Sequence, residues 1–239
     1  MQRNIVRLAA VVACLSFITM ANGAGDSKPV TAAAYKDTIR LACIGDSITC
    51  GPYPSMLQNA LGNKWQVTNL GVSGATMLNG GDKPYSKLGQ YDQALKSKPD
   101  VVTIALGTND SKPHNWKKKA EFTADYEAMI AALRKVNPEV IIYCCLPPPA
   151  GGNKWGINGN VIKNEIGPMI LKIVKEKNCY VIDLYESLDG KNGFSGRDRV
   201  HPSGEGHKLL AATIYKALTG KELPTEAPKA EAATKKKAA

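Results

Sequence analysis

Val101-Val102-Thr103-Ile104-Ala105-Leu106-Gly107-Thr108-Asn109-Asp110 is the stretch that decides the fold. Its first six residues are almost continuously apolar or β-branched, so the strand they form has no face to offer to water. Such a strand belongs in a parallel sheet covered on both sides by helices. At Gly107 the run breaks into a short polar turn. In open α/β sheets ligands sit outside the carboxyl ends of the strands, where this turn falls.

Four more runs of the same kind flank it: Ile39–Gly45, Trp65–Gly71, Val140–Leu146 and Cys179–Tyr185, with Val101–Gly107 as the third of five strands. Between them lie Pro54–Leu61, Leu88–Ser97, Ala120–Val136 and Val161–Lys177, and Ser203–Leu218 closes the series. These stretches repeat apolar positions at three and four residues, as in Phe122, Tyr126, Met129, Ile130 and Leu133, which is the helical period. The alternation predicts an α/β fold, a three-layer α/β/α sandwich around a flavodoxin-like, five-stranded parallel sheet.

Four short motifs sit where that topology places chemistry. Gly45-Asp46-Ser47-Ile48-Thr49 ends the first strand, and a serine on a sharp turn after a strand exposes a hydroxyl nucleophile. Asn69-Leu70-Gly71-Val72-Ser73-Gly74 ends the second, and Leu106-Gly107-Thr108-Asn109-Asp110 the third. Asp198-Arg199-Val200-His201-Pro202 lies between the fifth strand and the last helix. An aspartate three residues before a histidine can steer that ring while the ring takes a hydroxyl proton. A histidine suits the task because its ordinary pKa of about 6.5 lets it take and return a proton near neutrality.

Taken in order, the four blocks resemble the SGNH (GDSL-type) hydrolase family over roughly residues 39–218. The resemblance implies the same fold and a serine esterase that needs no metal or other cofactor. It implies that Ser47 is the nucleophile, His201 the general base and Asp198 its orienting partner. It also implies an oxyanion hole made by the backbone N–H groups of Ser47 and Gly71 and the Asn109 side chain. Read without the family, Gly71 serves equally well as a turn glycine at a strand end, and Asn109 as a turn residue. Asp46 and Asp110 are expected to support the loops by hydrogen bonding.

The ends read differently from the middle. Residues 1–23 have the anatomy of a signal peptide: Arg3 and Arg7, an apolar Leu8–Met20, then Ala21-Asn22-Gly23 as a small-residue cleavage site. The expectation is a secreted or periplasmic protein without stable membrane insertion, since the apolar stretch is short for a span. Residues 24–38 form a lead-in, 39–220 the hydrolase domain, and 221–239 a Lys/Ala/Pro/Glu-rich tail with too little apolar area to order itself. The net charge of +10 falls to +8 once Arg3 and Arg7 leave. No basic helix or aromatic-interleaved basic patch accompanies it, so no nucleic-acid partner is expected. Lys117-Lys118-Lys119 reads as a solvated face, with an anionic glycan as the other reading.

Cys43, Cys50, Cys144, Cys145 and Cys179 remain after the signal segment, an odd number without regular spacing and so no disulfide framework. Nothing has zinc spacing, and no metal is expected. For the substrate, Trp155, Asn153 and Trp116 are the candidate contacts, on loops expected at the catalytic rim. Trp155 offers either an aromatic face to a sugar or a side chain that packs its own loop. The brief segment after Ser47, with Pro52 and Pro54 leading into a helix, leaves no room for an apolar lid. A small acyl group on a polar scaffold fits that best, and the loops look most like exported bacterial carbohydrate O-acetylesterases of the sialate type. The expected partner is therefore an acylated carbohydrate. A lysophospholipase- or thioesterase-type acylhydrolase is the nearest alternative, and a non-catalytic glycan- or anion-binding module a more distant one.

Overall fold

The computed structural model describes residues 28–151, 154–191 and 198–224. Five strands, β1 (Ile39–Gly45), β2 (Trp65–Gly71), β3 (Val101–Ala105), β4 (Ile141–Leu146) and β5 (Tyr180–Asp183), form one sheet in the order β2-β1-β3-β4-β5. All four neighbouring pairs are parallel. This is the flavodoxin-like order, which reverses direction between β1 and β3 and opens a crevice there. In register, Gly45 at the end of β1 stands opposite Gly71 on one side and Ala105 on the other.

The helices follow as α1 (Tyr53–Leu61), α2 (Gly89–Lys96), α3 (Pro113–Trp116), α4 (Phe122–Val136), α5 (Gly159–Val161), α6 (Gly167–Glu176), α7 (Leu184–Leu188) and α8 (Gly204–Thr219). A π turn at Ile162–Ile166 joins α5 to α6. Strand residues alternate between two cores, as the period of two requires. Ala42, Ile44, Val102, Ile104, Ile142 and Cys144 pack with Ala94 of α2, Phe122, Tyr126 and Ile130 of α4, and Ile170 of α6. Leu41, Cys43, Val101, Tyr143, Cys145 and Ile182 pack with Tyr53 and Leu57 of α1 and Leu210 and Ile214 of α8. Each such Leu, Ile or Val side chain contributes about 1.5–3 kcal/mol on burial. The adjacent Cys144 and Cys145 face opposite cores, and burial pushes the Cys43 thiol up to about 12. All five cysteines among the described residues are free thiols.

Two strands end before their apolar runs do. β3 stops at Ala105 because the chain turns at Gly107 with φ +129, where a Cβ would lie 3.0 Å from Ile166 and from Pro147. β5 stops at Asp183, whose carboxylate accepts the Glu186 N–H at 2.8 Å and caps α7. Asp183-x-x-Glu186 is the spacing of a capping box, and that local signal overrides the β-branched run before it. At the other end of the chain Ser203 caps α8 through the Gly206 N–H, and Gly220 ends it at φ +71. Val30 of the lead-in donates to Leu218 O at 2.8 Å, so this segment packs onto the last helix.

At the amino ends of the strands Arg40 grips Asp100. Its Nε and Nη2 donate to the two carboxylate oxygens at 2.9 and 2.8 Å, and its backbone N–H adds a third bond. The guanidinium holds the Asp100 carboxyl below its ordinary value of 3.8. A group depressed in this way favours folding above its unfolded pKa and loses that contribution as pH falls through the folded one. Asp100→Ala should cost about 1–2 kcal/mol in urea unfolding at pH 7, and the deficit should shrink below about pH 4. Turnover should not change, because the pair lies at the pole opposite the loops that follow the strands.

Candidate active site

The turn after β1 is wound tightly. Asp46 Oδ1 accepts the Ile48 N–H at 2.9 Å, Asp46 O accepts Cys50 N at 3.1 Å, and Ile48 O accepts Gly51 N at 3.1 Å. A Cβ at Gly45 would lie 2.0 Å from Thr49 Oγ1, so only glycine allows the chain to fold back there. Thr49 in turn shares a 3.0 Å hydrogen bond with the buried Tyr53 hydroxyl of α1. The outcome is a rigid corner with Ser47 at its half-buried edge.

The histidine loop is fixed by its own aspartate. Asp198 Oδ1 accepts the N–H groups of Val200 and His201, both at 2.9 Å, while Oδ2 lies 3.1 Å from His201 Nδ1. Arg199 between them adopts φ +54, a left-handed conformation that costs an ordinary residue about 1–2 kcal/mol. The two backbone bonds to Asp198 offset it. His201 Nε2 then meets Ser47 Oγ at 2.8 Å, across 154 residues of sequence. The hydroxyl, the imidazole and the carboxylate thus form one continuous hydrogen-bonded line. In the neutral ring, Nδ1 would donate to Asp198 and leave Nε2 to accept the serine proton.

Asn109, after β3, the strand next to β1 in the sheet, is buried. Its Nδ2 donates to Ala75 O at 3.2 Å, which leaves its second N–H for another acceptor. Gly71 is placed differently from its expected role, for its N–H donates to Asn69 Oδ1 at 3.0 Å. A Cβ on Gly71 would come within 2.4 Å of Cys50 N and 2.6 Å of Thr49 C. Gly71 therefore lets β2 close against the serine turn. Gly74, three residues on, takes φ +81 in the turn next to Ala75, and its N–H has no acceptor among the described residues.

Asp110 is the residue whose part the motif understated. Fully buried, it accepts Leu78 N at 2.8 Å with one oxygen and Met77 N at 3.0 Å with the other. It clamps the chain that carries Gly74 and Ala75 to the turn that carries Asn109. Burial pushes its pKa up to about 7, against the lowering effect of those two N–H groups, and pushes that of Asp46 up to about 6. Asn115 extends the framework, donating to Asn109 O at 2.9 Å and to Asp82 Oδ1 at 3.0 Å.

Of the two candidate substrate contacts among the described residues, the structure brings one to the site. The Trp155 ring lies 5.1 Å from the His201 ring, edge to face. Trp116 is instead a core residue, 8% exposed, with its indole N–H on Glu165 at 3.0 Å and its ring against Phe122. Helical packing at α3, a four-residue element without a strong sequence signature, turned it inward. Asn153 falls outside the described residues. His207 is buried against Tyr53 behind the serine turn, where burial lowers its pKa. No group of three metal-ligating side chains occurs among the described residues, and no helix there is long and apolar enough to cross a membrane.

A parallel α/β sheet with a serine, a histidine and an aspartate joined at its carboxyl rim is the arrangement that serine hydrolases use. The sequence pattern of the GDSL-like lipase/acylhydrolase family matches residues 43–209, and the chain belongs to that family. It is 39% identical over 214 residues to an acetylxylan esterase of Xylanibacter ruminicola, an alignment covering 78% of this chain and 44% of that protein. The chain therefore spans less than half the length of that relative. Among solved structures, a lipase/acylhydrolase from Enterococcus faecalis superposes with TM-score 0.63 at 28% identity, covering 80% of this chain and all of the other. An acetyl xylan esterase superposes with TM-score 0.59 at 25% identity, over 75% and 99% of the two chains.

Asp110→Asn would set an amide N–H against a backbone N–H and should destabilise the fold by about 1–3 kcal/mol. The carboxyl holds its proton more tightly folded than unfolded. Its contribution is thus complete below about 3.8, declines as pH rises and is level above about 7. Urea unfolding at pH 4.5 and 8 should show the wild type losing more stability across that window than the variant does.

Proposed function

We propose that the protein is a serine esterase that removes O-acetyl groups from carbohydrates through an acetyl-enzyme. The observation that carries the reading is the 2.8 Å approach of Ser47 Oγ to His201 Nε2, with Asp198 behind the ring. His201 takes the hydroxyl proton as Ser47 attacks the acetyl carbonyl, and Asp198 stabilises the imidazolium that forms. The oxyanion is met by the Ser47 N–H and the free N–H of Asn109. We assign the third donor to Gly74, since the Gly71 N–H is spent on Asn69. Each donor of this kind is worth about 3 kcal/mol in the transition state. His201 then protonates the departing sugar oxygen. It next draws a proton from the water that attacks the acetyl-serine, and returns that proton to Ser47 Oγ as acetate departs.

The choice of acetyl and carbohydrate rests on two supports. The acetylxylan esterase relative shares 39% of its aligned residues with this chain. Among the described residues, Trp155 and Leu171 are the large apolar side chains left exposed, so the described part of the rim offers no broad apolar surface to a long acyl chain. We further propose export, on the charged, apolar and small-residue order of residues 1–23. N-terminal sequencing of protein from an exporting host should then begin near Ala24, and a start at Met1 would contradict it.

Hydrolysis of 4-nitrophenyl acetate and octanoate, and of acetylated xylan, tests the chemistry. Acetate should be preferred to octanoate and acetic acid released from the xylan. Ser47→Ala should lower kcat by at least about 10³-fold, and Asp198→Ala by about 10²–10⁴-fold. A Ser47→Ala enzyme within a few-fold of wild type would reject the mechanism, and a preference for octanoate would reject the substrate.

A further inference from the structure

Trp155 stands in a position that packing does not explain. It is 53% exposed, and its backbone is left-handed at φ +56, ψ +19, followed by Gly156 at φ +76. Both features cost free energy, and no core contact offsets them. The segment that holds it is nevertheless fastened at each end to the catalytic machinery. On one side Gly151 N–H donates to Arg199 O at 2.8 Å, and the Arg199 guanidinium covers Gly151 so closely that a Cβ there would lie 3.0 Å from Nε. Arg199 lies between Asp198 and His201. On the other side Asn158 N–H donates to Ser111 Oγ at 3.0 Å, in the turn that bears Asn109. Ile157 is buried between, as an anchor. Trp155 is thereby suspended between the base and the oxyanion side, with its ring 5.1 Å from that of His201.

We infer that Trp155 is the residue that selects a sugar ester, its ring forming the wall on which the pyranose bearing the acetyl group stacks while Ser47 attacks. The C–H-lined face of a pyranose is apolar and its edge polar. An indole beside the base fits the first and leaves the hydroxyls to water and to polar neighbours. Lys154 Nζ rests 5.0 Å from the ring centroid, on a long flexible side chain that a sugar can displace or whose ammonium can bond a sugar hydroxyl. A bare acetyl ester reaches Ser47 without needing this wall. The inference rests on the carbohydrate reading of the site and adds to it the group that tells a sugar ester from a simple one.

The test compares kcat/KM for acetylated xylo-oligosaccharides and for 4-nitrophenyl acetate in wild type, Trp155→Ala and Trp155→Phe. Because the side chain is exposed, both variants should melt near the wild type. Trp155→Ala should lose roughly 10-fold more on the oligosaccharides than on 4-nitrophenyl acetate, the difference falling chiefly on KM. Trp155→Phe should recover most of the loss. Equal losses on both substrates, with the acid limb of the pH profile displaced, would make Trp155 a positioning residue for His201 and overturn the inference. Unchanged rates on both would overturn it as well. A wild type that cleaves 4-nitrophenyl acetate but no acetylated sugar would instead sink the carbohydrate reading, and the inference with it.

Discussion

The backbone hydrogen bonds that seat β1 between β2 and β3 bring Gly45 level with Gly71 and with Ala105. From that alignment the rim follows. The loops leaving three neighbouring strands start at one height, so the serine turn, the Val72–Ala75 turn and the Asn109 turn arise side by side. Gly71 lets the second lie against the first, since a Cβ there would fall 2.4 Å from Cys50 N, and Gly45 lets the serine turn fold back on itself, since a Cβ there would fall 2.0 Å from Thr49 Oγ1. A one-residue slip in β1 would exchange the residues of its two buried faces and carry Ser47 away from the histidine. The same hydrophobic alternation that builds the two cores therefore aims the nucleophile.

Two buried carboxyls hold this arrangement at a cost. Asp46 closes the serine turn on itself, and Asp110 joins the Met77-Leu78 backbone to the Asn109 turn. Burying either charge is unfavourable, which is why both pKa values rise, to about 6 and about 7. Apolar residues of similar size would make a more comfortable core but could not accept the N–H groups that these loops present. What the carboxyls supply is geometry. In the proposed mechanism Asn109 and the Gly74 turn meet the oxyanion, and these bonds hold both in place before the attack.

Most of this was legible in the sequence, for a physical reason. A strand covered on both faces must be apolar throughout, so Val101–Leu106 announces a parallel sheet without help from its neighbours. The Ser47, Asp198 and His201 motifs could then be placed on the rim from topology alone, and in the structure they meet. The short elements were less legible. Asp183 caps a five-residue helix inside a run that reads as strand, and α3 folds Trp116 into the core although its loop context reads as surface. In both cases a few local bonds outweigh a weak periodic signal. The donor of Gly71 was hidden for another reason. Whether a glycine N–H is spent on a neighbouring side chain, here Asn69, depends on rotamers that no spacing encodes. The positive φ of Gly74 had a sequence trace in its Ser-Gly pair, which is common at turns.

Labelling with a fluorophosphonate, followed by peptide mapping, tests the central claim most directly, because the reagent modifies only a serine whose proton is being taken. A single adduct on the peptide containing Ser47, formed at least about 100-fold more slowly in His201→Ala, is the result that the Ser47–His201 contact predicts. Labelling elsewhere, or at an unchanged rate without His201, would contradict it.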